Sequence, residues 1–105
     1  MKMNRGYVYT YRLIHEAVLP WETVSHIFAV AAIHLEAQPQ YDANWAIAKA
    51  ADYLPEHVGL AMRYLFFFSF GQAAGDVGVL LLGFASAMAE TGDYPENLRM
   101  FPIGP

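Results

Sequence analysis

The sequence contains no cysteine and only six lysines and arginines in 105 residues. Without cysteine there can be no disulfide framework, no thiolate nucleophile and no cysteine-ligated metal, and a reducing cytoplasm is the default compartment. The six cations are Lys2, Arg5, Arg12, Lys49, Arg63 and Arg99, scattered along the chain. Gripping a phosphate backbone takes a basic stripe or patch, so nucleic acid is not an expected partner. The ten carboxylates give a net charge of −4 but are spread too evenly to imitate a nucleic acid.

The usual signatures of catalysis are missing too. None of Ser25, Ser69 and Ser86 lies in Gly-x-Ser-x-Gly, the elbow that presents a nucleophilic serine. The glycines of GQAAGDVG, residues 71–78, have no strand-like run before them and no Gly-Lys-Ser/Thr after them, and Asp76 would repel a phosphate there. That leaves His15, His26, His34 and His57 as acid–base or metal candidates. Glu22 and His26 lie one helical turn apart, but Glu-x-x-x-His is not the Glu-x-x-His of bundle di-metal sites, and it occurs once. It reads as a solvated helix face, and His57 beside Glu56 reads as structural. No catalytic residue, metal or cofactor is expected, and the chain is not expected to be an enzyme.

Uninterrupted apolar runs long enough for a membrane are also lacking. Residues Val58 to Thr91 are nearly devoid of charge, with Asp76 alone between Tyr64 and Ala89. A spanning helix needs roughly 20 apolar residues, and one continuous helix here would hold Gly71, Gln72, Gly75 and Asp76 at its centre. A charge at that depth costs about 2.5–3.5 kcal/mol even on a lenient scale, and no Lys/Arg cluster flanks the stretch to orient it. A membrane span is therefore not expected. The start of the chain, MKMNRGYVYTYRLI, lacks the apolar h-region of a signal peptide.

What is abundant is apolar side chain. Hydrophobic residues make up 56% and charged residues 15%, against roughly 45–50% and a quarter in ordinary globular domains. In a single domain, 1–105, the surplus is expected to be buried between chains, by self-association or against another protein.

Periodicity divides this material into helices. Tyr7, Tyr11, Ile14 and Val18 fall at i, i+4, i+7 and i+11, which favours a helix over the strand that Tyr7, Tyr9 and Tyr11 also suggest. From Trp21 to Ala37 the stripe is Val24, Ile27, Phe28, Ala31 and Leu35, with Glu22, Ser25, His26 and Glu36 away from it. Asp42 is placed to cap a helix from Ala43 to Leu54, whose inner face should be Ile47, Ala50, Ala51 and Leu54. Pro55 opens a segment to Ser69 that is apolar on every side of the wheel, the pattern of a helix buried at the centre of a bundle. Within it Arg63 is expected to meet a phenylalanine face or a carboxylate. Asp76 should cap Val77–Glu90, where Val77, Leu80, Leu81, Phe84 and Met88 form a stripe beside a strip of small residues, Gly78, Ala85 and Ala89. Gly92 follows as the C-terminal cap. The tail 93–105 has three prolines and no periodicity.

The fold expected is all-α: a compact bundle of four to five helices around the central apolar helix at about 55–69, with an irregular tail. The function expected is a small non-enzymatic protein–protein interaction module. It would be an adaptor, assembly factor or inhibitor, of the kind carried by phages or mobile elements, docking an apolar and aromatic surface on a larger protein. Trp45 is the candidate anchor, because it points away from the inner face and shares its side with Lys49 and Asp52, and tryptophan is enriched at binding hot spots. A small-molecule pocket inside the bundle, lined by the aromatics (the Phe66-Phe67-Phe68 run among them) and a histidine and open to enzymatic use, is the alternative, and a small membrane-associated subunit the second.

Overall fold

Pro20 starts the first described helix. Its extended backbone (φ −64°, ψ 144°) suits proline, and its carbonyl accepts from the amides of Thr23 and Val24. Helix α1 then runs Trp21–Ala37 and buries the five stripe residues Val24, Ile27, Phe28, Ala31 and Leu35. In the computed structural model, residues 20–70 and 76–93 are described, with side chains omitted for 67–70. The expected helix at Tyr7–Leu19 and the Pro-containing tail lie outside the described residues.

A tight turn at Gln38–Tyr41 reverses the chain, with the Tyr41 amide donating to the Gln38 carbonyl. Helix α2, Ala43–Ala50, starts where the carboxylate of Asp42 accepts from the Trp45 amide at 2.9 Å. It is shorter than the expected Ala43–Leu54. Pro55 disfavours the helical conformation at Leu54, so the chain leaves the α-helix after Ala50 through tighter bonds from Asp52 to Lys49 and from Leu54 to Ala51. The inner face is Ala46, Ile47, Ala50 and Ala51, with Leu54 half-buried against the core.

Helix α3, Glu56–Phe70, takes its first amide bonds on the Pro55 carbonyl. Helix α4, Val77–Thr91, is capped by Asp76, which accepts from the Val79 amide, and ends at Gly92 in the left-handed region (φ 69°). Only a residue without Cβ occupies that conformation freely, and it lets the Gly92 amide close the last turn on Met88.

The four helices are all-α with no strand among the described residues. Among the described residues helix α1, and not the helix at about 55–69, packs most extensively: α4 and α2 both lie against it, and α3 reaches the group mainly through α2. Far from being enclosed on all sides, α3 buries Ala61, Met62, Leu65 and Phe66 and turns Glu56, His57 and Leu60 outward, with Leu60 44% exposed. An apolar wheel says that a helix can be covered all round. Whether it is covered depends on how many neighbours it meets, and α3 lies at the flank of the described group.

Phe28 ties three helices together. From the buried side of α1 its ring meets Phe84 of α4 edge-on at 5.1 Å and Phe66 of α3 at 6.1 Å, spacings at which aromatic pairs attract beyond their area burial. Around this knot, Leu81, Phe84, Ala85 and Met88 bury the inner face of α4. Helices α1 and α4 are antiparallel: Ser25 near the start of α1 meets Ala85 past the middle of α4, while Ile33 and Glu36 near the end of α1 lie by Val77 and Val79 at the start of α4. The Ser25 hydroxyl donates to the Ala85 carbonyl at 2.9 Å, an approach that the small side chains on both sides permit. Ser25, expected away from the stripe, thus sits in the seam between the two helices.

Candidate functional site

No group of three or more His, Asp and Glu side chains able to hold a metal occurs among the described residues. Glu22 and His26 are exposed on α1, while His34 turns to another side and meets Trp45. Arg63 is half-buried, and its Nε donates to the Gly59 carbonyl one turn back at 3.3 Å, so part of its hydrogen bonding is spent on its own helix. The side chains of Phe67 and Phe70, expected beside it, lie outside the description. Among the described residues no helix is long and apolar enough to cross a membrane.

The surfaces that remain are aromatic and apolar. Capping by Asp42 fixes the path of the chain into α2 and leaves Tyr41 just outside the helix, four residues before Trp45. From there the Tyr41 ring stacks on Trp45, with centroids 4.2 Å apart and planes within 17°. The His34 ring meets the same indole edge-on at 6.1 Å. Trp45 is therefore half-buried against the core, neither enclosed nor free, with exposed Lys49 one turn further along α2 and exposed Asp52 just past its end. The sequence placed Trp45, Lys49 and Asp52 on one side of α2 but did not supply Tyr41 and His34 as the neighbours of the indole. The i,i+4 spacing of Tyr41 and Trp45 was the available signal for the first.

Beside this cluster lies a groove of about 580 Å³, between the last turns of α1, the 38–41 turn and the first turns of α4. Among the described residues six large hydrophobic side chains are exposed, and four of them line this groove: Ile33 (64% exposed), Val79 (64%), Leu82 (52%) and Tyr41 (47%). Each keeps about half or more of its surface open, and contiguous exposed apolar side chains are the kind of patch that marks functional surfaces on monomers. Tyr41 is common to both features, so the Trp45 cluster and the groove form one continuous surface. No local pattern announces the groove, because Ile33 sits on α1 and Val79 and Leu82 on α4, more than forty residues apart.

Comparison with protein-family models, curated proteins and solved structures finds no match. The surface must be interpreted on its chemistry alone.

That chemistry is one of contact. Of the Phe66-Phe67-Phe68 run, Phe66 packs edge-on against Phe28 in the core, and the side chains of Phe67 and Phe68 lie outside the description. Among the described residues the groove contributes one aromatic ring, Tyr41, and two carboxylates, Glu36 and Asp76.

Proposed function

We propose that this chain is a small non-enzymatic protein–protein interaction module, an adaptor, assembly factor or inhibitor, that docks an apolar and aromatic surface on a larger protein. The observation that carries this reading is the gathering of Ile33, Tyr41, Val79 and Leu82 in one groove that continues into the Trp45 stack. Apolar side chains scattered singly over a surface need no explanation, whereas a contiguous patch invites a partner. Trp45 is the anchor at one end, with Lys49 and Asp52 as a polar rim that excludes water without adding much energy.

The test combines stability with capture. Leu82 is half exposed, and Leu82→Ser should leave the thermal midpoint nearly unchanged, since surface substitutions stay within about 0.5 kcal/mol. Trp45→Ala removes a half-buried ring and its stacking contact with Tyr41 and should cost about 1–2 kcal/mol, leaving a folded domain. Both variants should lose a partner that the unaltered chain retains in pull-down from the source cell. If both stay folded and still retain it, the surface does not mediate docking. If Trp45→Ala unfolds the chain altogether, Trp45 is a core residue.

A further inference from the structure

The charges around the groove narrow the choice of occupant. Among the described residues its lining holds two charged side chains, Glu36 and Asp76, both exposed and both carboxylates. Helix α1 ends here and α4 begins here, so the negative end of one helix lies near the positive end of the other and their dipoles largely offset. Among the described residues the two carboxylates therefore set the sign of the local field. Asp76 uses one oxygen on the Val79 amide at 3.3 Å, which holds the group in place without neutralising it. Among the described residues the cations are Lys49 and Arg63, and neither lines the groove.

An apolar floor bordered by carboxylates is complementary to an amphipathic helix whose apolar stripe is flanked by lysine or arginine. Resting on the docking reading above, we propose that the groove receives a cationic amphipathic helix of a partner protein. Apolar side chains at i, i+3 or i+4, and i+7 of that helix seat on Ile33, Val79 and Leu82, and its flanking cations reach Glu36 and Asp76. A second copy of this chain is a poorer occupant on the same grounds. A twofold contact through the groove would bring Glu36 and Asp76 of one copy toward the same carboxylates of the other. The groove is narrow, bounded by the last turns of α1, the 38–41 turn and the first turns of α4, and suits one helix better than one whole face.

The experiment uses the full chain and two synthetic helical peptides of about 18 residues, long enough to be helical. Both carry one leucine stripe; one has lysine and the other glutamate on its flanks. Binding of the labelled peptides is read by fluorescence anisotropy between about 20 and 200 mM salt, where screening changes most. The lysine peptide should bind at least about tenfold more tightly than the glutamate peptide, and increasingly so as salt falls. Ile33→Ser and Leu82→Ser should each weaken it about tenfold, and Glu36→Gln should weaken it several-fold and flatten the salt dependence.

Equal affinity for the two peptides, or an unchanged salt dependence in Glu36→Gln, overturns the cationic assignment and leaves the docking reading standing. Lysine-peptide binding that survives both serine variants places the peptide elsewhere on the acidic surface and overturns the groove assignment. Sedimentation that shows a dimer dissociated by Ile33→Ser makes a second copy the occupant and overturns the proposal. Binding of neither peptide overturns it as well. The docking reading itself falls by a different result, retention of the cellular partner by folded Trp45→Ala and Leu82→Ser.

Discussion

Phe28 is the side chain on which the packing of three helices converges, and its removal gives the most direct test of the core. The ring is fully buried and contacts Phe84 and Phe66 at 5.1 and 6.1 Å. Replacing it with alanine exposes or vacates about 150–200 Å² of apolar contact, worth roughly 4–5 kcal/mol at about 25 cal/mol per Å². Partial collapse of α3 and α4 into the space recovers some of this, so Phe28→Ala should cost about 3–5 kcal/mol. A domain of this size has about 5–15 kcal/mol in total. The variant therefore remains measurable by urea unfolding followed by circular dichroism, with the midpoint lowered by about 2–3 M at a slope of about 1.5 kcal/mol per M. A gentler cycle with Phe28→Leu and Phe84→Leu should give a coupling of about 0.5–1.5 kcal/mol. A loss below about 1 kcal/mol for Phe28→Ala, with no coupling to Phe84, would mean that the ring is not enclosed and that the order of packing around α1 is mistaken.

Two further substitutions probe how the helices are started and joined. Asp76→Ala and Asp42→Ala each remove a carboxylate that accepts a first-turn amide and should cost about 0.5–2 kcal/mol, with Asn restoring most of it; equal losses for Ala and Asn would point to charge and not to capping. Ser25→Ala leaves the Ala85 carbonyl without its 2.9 Å donor and should cost about 1 kcal/mol, whereas Ser25→Leu should cost about 1–3 kcal/mol more by forcing α1 and α4 apart. A Leu variant as stable as the Ala variant would show that the seam is looser than its hydrogen bond implies.

Local chemistry made most of the elements legible. Proline at 20 and 55, aspartate at 42 and 76 and glycine at 92 act within a turn of themselves, so their consequences can be worked out from the sequence without knowing the fold. The stripe of α1 was equally readable, because five residues at helical spacing are all buried. Helix α2 marks the limit of such signals. Its periodicity persists to Leu54, but Pro55 dictates the backbone before it, and the chain leaves the helix four residues early.

What depends on two helices at once was not legible. The wheel of α3 is apolar on every side, yet among the described residues α1 is the hub, because centrality is a matter of which faces find partners and not of how apolar a helix is. Serine counts as polar on a wheel, so Ser25 was set outside the core. Its small hydroxyl is what allows α4 to come close and receive a hydrogen bond. The candidate site repeats the point. Trp45 was noticeable as a large ring on the wet side of a short helix, but the ring is held by Tyr41 from the preceding turn and His34 from α1. Ile33, Val79 and Leu82 looked ordinary in their own helices; only the antiparallel pairing of α1 with α4 brings them to one groove. The same pairing brings Glu36 and Asp76 to its edge, where the ends of two helix dipoles offset. A surface of this kind is written in the sum of two amphipathic patterns, each of which leaves a few apolar side chains unmatched.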